Sequence, residues 1–104
     1  MLSLLLETLS IWLRTVADRE WFVYILECSP SGSLYTGRTT DLNRRFMEHV
    51  TGVGAKYTRA HTPRRIAWWE GGHDASTSGK REAAIKRLSR QQKLALVNEK
   101  SNKV

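Results

Sequence analysis

The sequence predicts one α/β domain of the α+β type, in which helices flank a small three-stranded antiparallel sheet. Two apolar segments separated by a short turn, residues 21–26 and 33–37, predict a β-hairpin. A third segment rich in aromatic residues, 66–70, predicts another strand, and helices are predicted at 42–50 and from about residue 79 onward. Since 40% of the 104 residues are hydrophobic, the chain can bury one small core, and its length excludes a second.

The predicted hairpin carries one tyrosine on each strand. The turn between the strands is the Ser29–Gly32 segment, whose proline and glycine favour a reversal of the chain. With so short a loop, Tyr35 is expected opposite or diagonal to Tyr24. If the two side chains share a face of the sheet, their hydroxyls point into one region.

The helix at 42–50 is predicted to begin after Asp41, which is a good N-cap residue. Its apolar stripe consists of Leu42, Phe46 and Val50. At helical spacing, Arg45 and His49 lie one turn apart along an edge of that stripe. We therefore expect them to meet at the rim of the core, whereas Arg44 points away from it.

Less regular segments connect the predicted elements. Lys56 and Arg59 are expected in a basic loop, and the glycine, serine and threonine residues at 71–79 predict a flexible connection. The Ser89–Gln92 segment has the pattern of a capping box, which predicts a last helix that runs through Asn98.

The domain is expected to occupy residues 19–98, followed by a polar tail at 99–104 that frays. Residues 1–18 carry apolar side chains at helical spacing, and they predict an amphipathic helix that docks on the domain or joins it to a second copy. These side chains are Leu2, Leu5, Leu6, Leu9, Trp12, Leu13 and Val16. Glu7 interrupts the run and no basic residue precedes Arg14, so neither a secretory signal nor an integral membrane segment is predicted. A membrane-surface anchor is disfavoured by the small number of basic residues.

Charge and cysteine content narrow the class of function. The formal net charge is +7, and residues 38–104 carry fifteen basic and six acidic side chains. A field of this sign concentrates polyanions, so nucleic acid is the leading candidate partner, with anionic lipid and an ordinary basic domain as alternatives.

Cys28 is the only cysteine, which excludes an internal disulfide and a cysteine-based zinc site and favours a reducing, cytoplasmic setting.

Five short motifs follow one another in a definite order. They are Val23-Tyr24-Ile25, Tyr35-Thr36-Gly37, Asn43-Arg44-Arg45-Phe46-Met47-Glu48-His49, Gly52-Val53-Gly54-Ala55-Lys56-Tyr57-Thr58 and Glu82. Together they resemble the motifs of the GIY-YIG nuclease superfamily, and in particular its small stand-alone bacterial members. The resemblance extends from Trp21 to Asn98. Val23 replaces a glycine of the motifs and Thr36 replaces an isoleucine, while both tyrosines and Gly37 remain.

This resemblance implies a GIY-YIG endonuclease-like fold and a set of catalytic residues. Tyr24 and Tyr35 would activate and position the attacking water, and the resemblance does not assign the base between them. Arg45 would clamp the scissile phosphate, and His49 would assist as proton donor or phosphate contact. Glu82 would hold one divalent ion, Mg²⁺ or Mn²⁺, with waters completing the coordination shell.

The chemistry of phosphodiester hydrolysis explains why these residue types would be needed. The reaction requires a base, a cation near the non-bridging oxygens and a means of stabilising the leaving alkoxide. Tyrosine is a poor base at its ordinary pKa, but nearby positive charge lowers that pKa, and Arg38 and Arg45 are expected to supply the charge. Each residue also has a structural explanation when taken alone, such as packing for a tyrosine or a helical ion pair with Lys86 for Glu82.

Basic side chains outside the catalytic set are expected to contact the DNA backbone. They are Arg38, Arg44, Lys56, Arg59, Lys86, Arg90 and Lys93. Arg44 is the internal control for Arg45, because we expect it to affect affinity and salt dependence rather than turnover.

These observations together predict a metal-dependent DNA endonuclease. Since the chain has no room for a second recognition domain, we expect it to select DNA by structure or strandedness, with single strands or branched ends preferred. The alternative is a non-catalytic nucleic-acid-binding protein with the same fold and basic face.

Overall fold

The structure is a computed structural model and describes residues 19–101. Its elements are β1 (Trp21–Cys28), β2 (Ser33–Thr39), α1 (Leu42–Val50), α2 (Lys56–Ala60), β3 (Pro63–His73), α3 (Ala75–Lys86) and α4 (Arg90–Ser101). The three strands form one antiparallel sheet in the order β2-β1-β3, with helices on both faces. This confirms the predicted α+β fold. The helix predicted at 1–18 and the end of the predicted tail, 102–104, lie outside the described residues.

The central strand β1 pairs with β2 in a register that fixes the relation between the two tyrosines. Tyr24 lies opposite Gly37, and Tyr35 lies opposite Leu26, two residues further along β1. Residues two apart on a strand point to the same face, so Tyr35 is the diagonal neighbour of Tyr24 on a shared face. Of the two predicted arrangements, opposite or diagonal, the structure therefore has the diagonal one.

The sheet separates two small apolar clusters. On one face, Val23, Ile25 and Trp68 pack against Ile85 of α3 and Val97 of α4. On the other face, Tyr24, Leu26 and Cys28 pack against Tyr35, Leu42, Phe46 and Ile66. Helix α1 therefore covers the tyrosine face, while α3 and α4 cover the opposite face.

Helix α1 has the predicted bounds because its start and its periodicity are both encoded locally. The Asp41 side chain accepts a hydrogen bond from the Arg44 backbone N–H at 3.0 Å, which caps the helix as expected. Arg44 is exposed and Arg45 is half-buried, as predicted, whereas His49 was expected at the rim of the core and is fully buried. Val50 is exposed rather than part of the apolar stripe, because the helix ends there.

Two segments predicted as connections are regular structure. Lys56 and Arg59 lie on the short helix α2, where the Thr58 backbone N–H and side-chain hydroxyl both donate to the Ala55 carbonyl. The 71–79 segment is divided between the end of β3 and the start of α3. These local hydrogen bonds outweigh the loop-forming tendency of the glycine and hydroxyl residues.

Helix α3 begins earlier than predicted because a capping box closes its first turn. The Asp74 carboxylate accepts from the Thr77 backbone N–H at 2.7 Å, and the Thr77 hydroxyl accepts from the Asp74 backbone N–H at 3.0 Å. An ion pair between Arg81 and Glu70, 3.0 Å from Nε to Oε1, ties α3 to β3. The capping box and this ion pair together hold α3 in place after β3.

The last helix, α4, confirms the predicted capping box. The Gln92 side chain accepts from the Ser89 backbone N–H at 2.9 Å, and the Ser89 hydroxyl accepts from the Gln92 backbone N–H at 3.2 Å. The helix extends to Ser101, three residues beyond the predicted end at Asn98.

Candidate active site

The hydroxyl of Tyr24 lies over the backbone of Gly37 on the neighbouring strand. A Cβ atom at Gly37 would lie only 2.6 Å from Cζ of Tyr24, a separation that real Cβ atoms do not reach. Glycine is therefore required at this position by close approach rather than by its backbone conformation. The Tyr24 ring can extend across β2 only because this side chain is missing.

His49 forms a hydrogen bond with the Tyr24 hydroxyl. The distance between Tyr24 Oη and His49 Nε2 is 2.9 Å, and the imidazole is 0% exposed. Its second nitrogen, Nδ1, lies 2.7 Å from Oγ1 of Thr58, which is 2% exposed on α2. The Thr58 hydroxyl also donates to the Ala55 carbonyl at 2.9 Å. Both nitrogens of His49 are thus hydrogen-bonded inside the domain.

Gly54, in the loop between α1 and α2, packs directly against the His49 ring. A Cβ atom at this position would lie 2.5 Å from Nδ1 and 2.9 Å from Cγ of the imidazole. The Gly54 backbone N–H donates to the Glu48 carbonyl at 2.9 Å, which holds the loop in place. A larger side chain at this position would displace the ring.

Tyr35 borders the same histidine through its ring. The Tyr35 and His49 ring centroids are 5.2 Å apart in an edge-to-face arrangement, and Tyr35 also stacks on Tyr57 with centroids 5.8 Å apart. Tyr57 in turn stacks on His61 at 4.2 Å. The two hairpin tyrosines therefore have different surroundings, since Tyr24 is hydrogen-bonded to His49 and Tyr35 meets it edge to face.

Arg45 places a permanent positive charge beside Tyr24. Its guanidinium lies close enough to the Tyr24 hydroxyl to lower the pKa of that group. It also lies 3.4 Å from the Glu48 carboxylate, measured from Nη1 to Oε1, and the two side chains remain about one-third exposed. Arg45 can therefore reach a ligand from the solvent side while it contacts the buried hydroxyl.

The pKa values of the tyrosines differ from the sequence-based expectation. Burial raises the pKa of Tyr24 to about 12, although the Arg45 guanidinium opposes that rise. Burial also raises the pKa of Tyr35, again against the charge of Arg45. Positive charge was expected to lower these values, but loss of water around the phenolate costs more than the arginine recovers. Tyr24 is thus a neutral hydroxyl in the folded protein at neutral pH.

Burial lowers the pKa of His49 below its ordinary value of 6.5, and Arg45 lowers it further while Glu48 opposes the shift. The unfolded chain therefore takes up a proton near pH 6.5, whereas the folded protein keeps the imidazole neutral to lower pH. The unfolded state binds more protons in this window, so the free energy of unfolding should fall as the pH is lowered from 6.5.

We expect urea titrations between pH 7.5 and pH 5 to show this loss of stability, and His49→Gln to lack most of it. Glu70 and Asp74 also have lowered pKa values, but from 4.5 and 3.8, so their contribution begins at lower pH. A wild-type stability that stays flat between pH 7.5 and pH 5 would contradict the burial of a neutral His49.

Glu82 lies on α3, which packs against β1 and β2. Its negative charge raises the pKa of both Tyr24 and Tyr35, so it lies within electrostatic reach of the site. Oε1 is 3.8 Å from Nζ of Lys86, the predicted helical pair, and 3.9 Å from Nε of Arg38. At these distances both ion pairs are loose, and the Glu82 side chain, 21% exposed, is partly accessible from solvent.

The described residues offer a divalent ion one carboxylate at this position. Within residues 19–101, no three histidine, cysteine, aspartate or glutamate side chains come together as a metal-ligand cluster. A hard ion such as Mg²⁺ keeps several waters and accepts one protein carboxylate together with substrate phosphate oxygens. The accessible carboxylate of Glu82 fits that mode of binding, in which the ion depends on the substrate.

Arg38 is held mainly by α3. Its Nη1 donates to the Ala75 carbonyl at 2.8 Å and to the Ser78 hydroxyl at 3.2 Å, and its guanidinium lies 4.9 Å above the centroid of the Trp21 ring. The charges that shift the tyrosine pKa values come from Arg45 and Glu82. Arg38 therefore anchors the helix that carries Glu82 rather than acting directly on the tyrosines.

The other basic residues predicted to bind DNA divide between the two faces of the sheet. Arg44, Lys56 and Arg59 are exposed on α1 and α2, on the tyrosine side. Lys86, Arg90 and Lys93 lie on the opposite side, where Lys86 and Arg90 are exposed and Lys93 is half-buried. Arg90 donates to the Gly32 carbonyl at 3.2 Å. The two groups can contact one nucleic acid only if it passes around the edge of the sheet.

Thr58 and Gly54 are site residues that were not assigned a role from sequence. Both occur in the Gly52–Thr58 motif, so the run itself was the available signal. Their function depends on the chain turning back at α2, which brings Thr58 to a histidine nine residues earlier.

No helix within residues 19–101 is long and apolar enough to cross a lipid bilayer.

Comparison with known proteins places the sequence in a family. A family model described as the GIY-YIG catalytic domain matches residues 20–95. A UPF0213 protein of Cupriavidus pinatubonensis is 47% identical over 78 residues, which cover 75% of this chain and 86% of the relative. A UPF0213 protein of Halobacterium salinarum is 51% identical over 74 residues, which cover 71% of this chain and 95% of the relative.

A solved structure is also similar. The solution NMR structure of a UPF0213 protein from Bacillus halodurans is 43% identical, with a TM-score of 0.50, and the match covers 78% of this chain and 85% of that one. The matched segment of the family model contains the tyrosines, Arg45, His49 and Glu82. The chain therefore belongs to the GIY-YIG catalytic domain family, which is a nuclease superfamily.

Proposed function

We propose that the protein is a metal-dependent endonuclease that hydrolyses phosphodiester bonds of DNA. The observation that carries this proposal is the Tyr24 hydroxyl, which lies 2.9 Å from an imidazole nitrogen and within the influence of the Arg45 charge. A hydroxyl held in this way can take a proton from a water and pass its own proton to the imidazole. The adjacent guanidinium can bind the phosphate that the water attacks.

In the proposed reaction, Tyr24 is the base and works through His49. Its raised pKa excludes a standing phenolate at neutral pH, so the hydroxyl must give up its proton as it accepts one. As the water oxygen bonds to phosphorus, the water proton moves to Tyr24 Oη and the phenolic proton moves to His49 Nε2. One bridging P–O bond breaks, and the leaving alkoxide takes a proton from solvent.

Arg45 supplies the fixed positive charge in this reaction. A planar guanidinium can donate two parallel hydrogen bonds to a phosphate, which lysine cannot reproduce. Because the Arg45 charge acts on Tyr24, a phosphate bound to Arg45 would lie near the proposed base. Tyr35, which meets His49 edge to face, is proposed to hold the water rather than to deprotonate it.

Glu82 is proposed to hold the divalent ion, Mg²⁺ or Mn²⁺. When bound, such an ion neutralises charge on the phosphate and on the leaving oxygen. The chain's own contribution is to keep the carboxylate accessible while Arg38 and Lys86 offset its charge.

The proposed selectivity is for DNA structure or strandedness, with single strands or branched ends preferred. The family match accounts for residues 20–95 of the 19–101 that the structure describes, so the described part holds little beyond the catalytic domain. Reading a long sequence requires several side chains in a groove of the duplex. Exposed Arg44, Lys56 and Arg59 can instead contact phosphates without regard to sequence.

We further propose that residues 19–98 form the catalytic unit and that residues 1–18 dock on it or join it to a second copy. The buried thiol of Cys28 suits a reducing, cytoplasmic setting.

The test is incubation of the purified full chain with end-labelled single-stranded, duplex and branched DNA. Each substrate is incubated with Mg²⁺, with Mn²⁺ and with EDTA. We expect products only with metal, and mainly from the single-stranded or branched substrates. Binding without cleavage under every metal condition would overturn the proposal and favour the alternative of a non-catalytic nucleic-acid-binding protein.

Replacing Glu82 by glutamine should lower metal-dependent cleavage about a hundredfold, because the amide keeps the shape but loses the charge that attracts the ion. DNA binding measured in EDTA should change little. Partial recovery at high Mn²⁺ concentration is expected, since the phosphate still contributes ligands. Unchanged cleavage and an unchanged metal requirement would exclude Glu82 as the metal ligand.

A further inference from the structure

We propose that Thr58 is a positioning residue that fixes His49 in the tautomer with its proton on Nδ1. This inference rests on the proposed function, in which Nε2 of His49 must be free to accept the proton of Tyr24. Thr58 itself does not touch the reacting atoms.

Four groups form one chain of hydrogen bonds through the site. The chain runs from the Tyr24 hydroxyl to the His49 imidazole, the Thr58 hydroxyl and the Ala55 carbonyl. Its printed separations are 2.9 Å from Tyr24 to Nε2, 2.7 Å from Nδ1 to Thr58 and 2.9 Å from Thr58 to Ala55. All of these lie in the normal range for hydrogen bonds.

The carbonyl at one end of this chain determines its direction. A backbone carbonyl can only accept a hydrogen bond. The Thr58 hydroxyl has one proton and donates it to Ala55, so toward His49 it is an acceptor. Nδ1 must therefore carry the ring proton. A neutral imidazole with its proton on Nδ1 has a bare Nε2, so the Tyr24 hydroxyl donates to Nε2 across their 2.9 Å separation.

Burial makes this direction stable. His49 and Thr58 are 0% and 2% exposed, so water has little access to either ring nitrogen. Gly54 packs against the Nδ1 side of the ring and prevents it from turning away from Thr58. Reversing the tautomer would require the Thr58 hydroxyl to leave the Ala55 carbonyl and donate to the ring.

This direction of the hydrogen bonds also matches the proton transfer of the proposed reaction, from Tyr24 to His49. A bare Nε2 beside the Tyr24 hydroxyl can accept its proton as the hydroxyl takes one from water. In the opposite tautomer, Nε2–H would donate to the Tyr24 oxygen and could accept nothing. The orientation of an imidazole is set in this way by the partner of its other nitrogen.

The test combines NMR of His49 with cleavage assays on the full chain. Long-range ¹H–¹⁵N spectra at pH 8 identify which ring nitrogen carries the proton. We expect the Nδ1–H tautomer in the wild type and in Thr58→Ser, which keeps the hydroxyl. In Thr58→Val, which has nearly the same shape but no hydroxyl, we expect the Nε2–H form to become populated and kcat to fall about 10- to 100-fold, with little change in KM.

The control for the loss of a buried threonine hydroxyl is Thr36→Val. Thr36 is buried on the opposite face of the sheet, and its hydroxyl has no hydrogen-bond partner among the described residues. Thr36→Val should therefore keep both the tautomer and the cleavage rate. Recovery of activity in Thr58→Ser but not in Thr58→Val separates the hydroxyl's role from simple packing.

Several outcomes would overturn the inference. An Nε2–H tautomer in the wild type would do so whatever the activity, and this measurement needs no variant to fold. An unchanged tautomer in Thr58→Val, or a changed tautomer with an unchanged kcat, would also do so. If the wild type cleaves no DNA at all, the proposed function fails, but the spectra still decide whether Thr58 fixes the tautomer.

Discussion

Replacing Arg45 by alanine is expected to lower the rate of DNA cleavage about a thousandfold, because a fixed donor aimed at the developing charge of the phosphate is lost. The change should affect kcat much more than affinity, since Arg44 and the other exposed cations still contact the backbone. Arg45→Lys should recover only a small part of the rate, because an ammonium group cannot donate two parallel hydrogen bonds to the phosphate. Single-turnover assays with end-labelled DNA measure these rates.

The matched control is Arg44→Ala, one residue earlier on the same helix. Arg44 is exposed and Arg45 is half-buried against the tyrosines, so the pair differs in direction while sharing charge and sequence neighbourhood. Arg44→Ala should weaken binding and reduce the salt dependence of affinity by about one phosphate contact, with kcat nearly unchanged. Equal effects of the two substitutions on kcat would argue against a phosphate clamp at Arg45.

Replacing Tyr24 by phenylalanine is expected to lower kcat by about 10²- to 10⁴-fold, which is the usual contribution of a general base. The ring keeps its packing over Gly37, so the fold should survive. The lost hydroxyl, however, leaves His49 Nε2 without its partner and removes the path by which the water proton reaches the imidazole.

Tyr35→Phe is the natural comparison, because that ring lies edge-on to the same histidine at 5.2 Å. Its effect on kcat should be smaller, about tenfold, if Tyr24 is the base and Tyr35 holds the water. The reverse order of effects would assign the base to Tyr35. That result would leave the proposed metal-dependent hydrolysis standing but would remove Tyr24 as the base, and with it the Tyr24 to His49 relay.

The local elements of the fold could be predicted because their signals are local. Asp41 caps α1, and the spacing of the apolar residues after it separates Arg44 from Arg45 without any tertiary information. The start of α3 was misjudged because glycine, serine and threonine dominate 71–79, although Asp74 and Thr77 already had capping-box spacing. Composition was therefore a poorer guide than the spacing of the two capping residues.

The residues that form the site could be predicted from the sequence, but their pKa values could be predicted only in part. The motif order identified Tyr24, Arg45 and His49, which the structure brings into contact. The pKa of Tyr24 could not be predicted, because it depends on how deeply the sheet and α1 bury the hydroxyl. Thr58 escaped assignment for a similar reason, since only the turn at α2 brings it to Nδ1 of His49.

Gly37 and Gly54 contact the site on two sides, and neither contributes a reactive atom. In a saturation-mutagenesis survey that scores DNA cleavage, these two positions should reject every substitution, alanine included, as strictly as the tyrosine, arginine and histidine positions do. Exposed residues such as Val53, which lies between them in the sequence, should accept most changes. The survey would then identify the two positions that must stay glycine beside Tyr24 and His49 as clearly as it identifies the reactive residues.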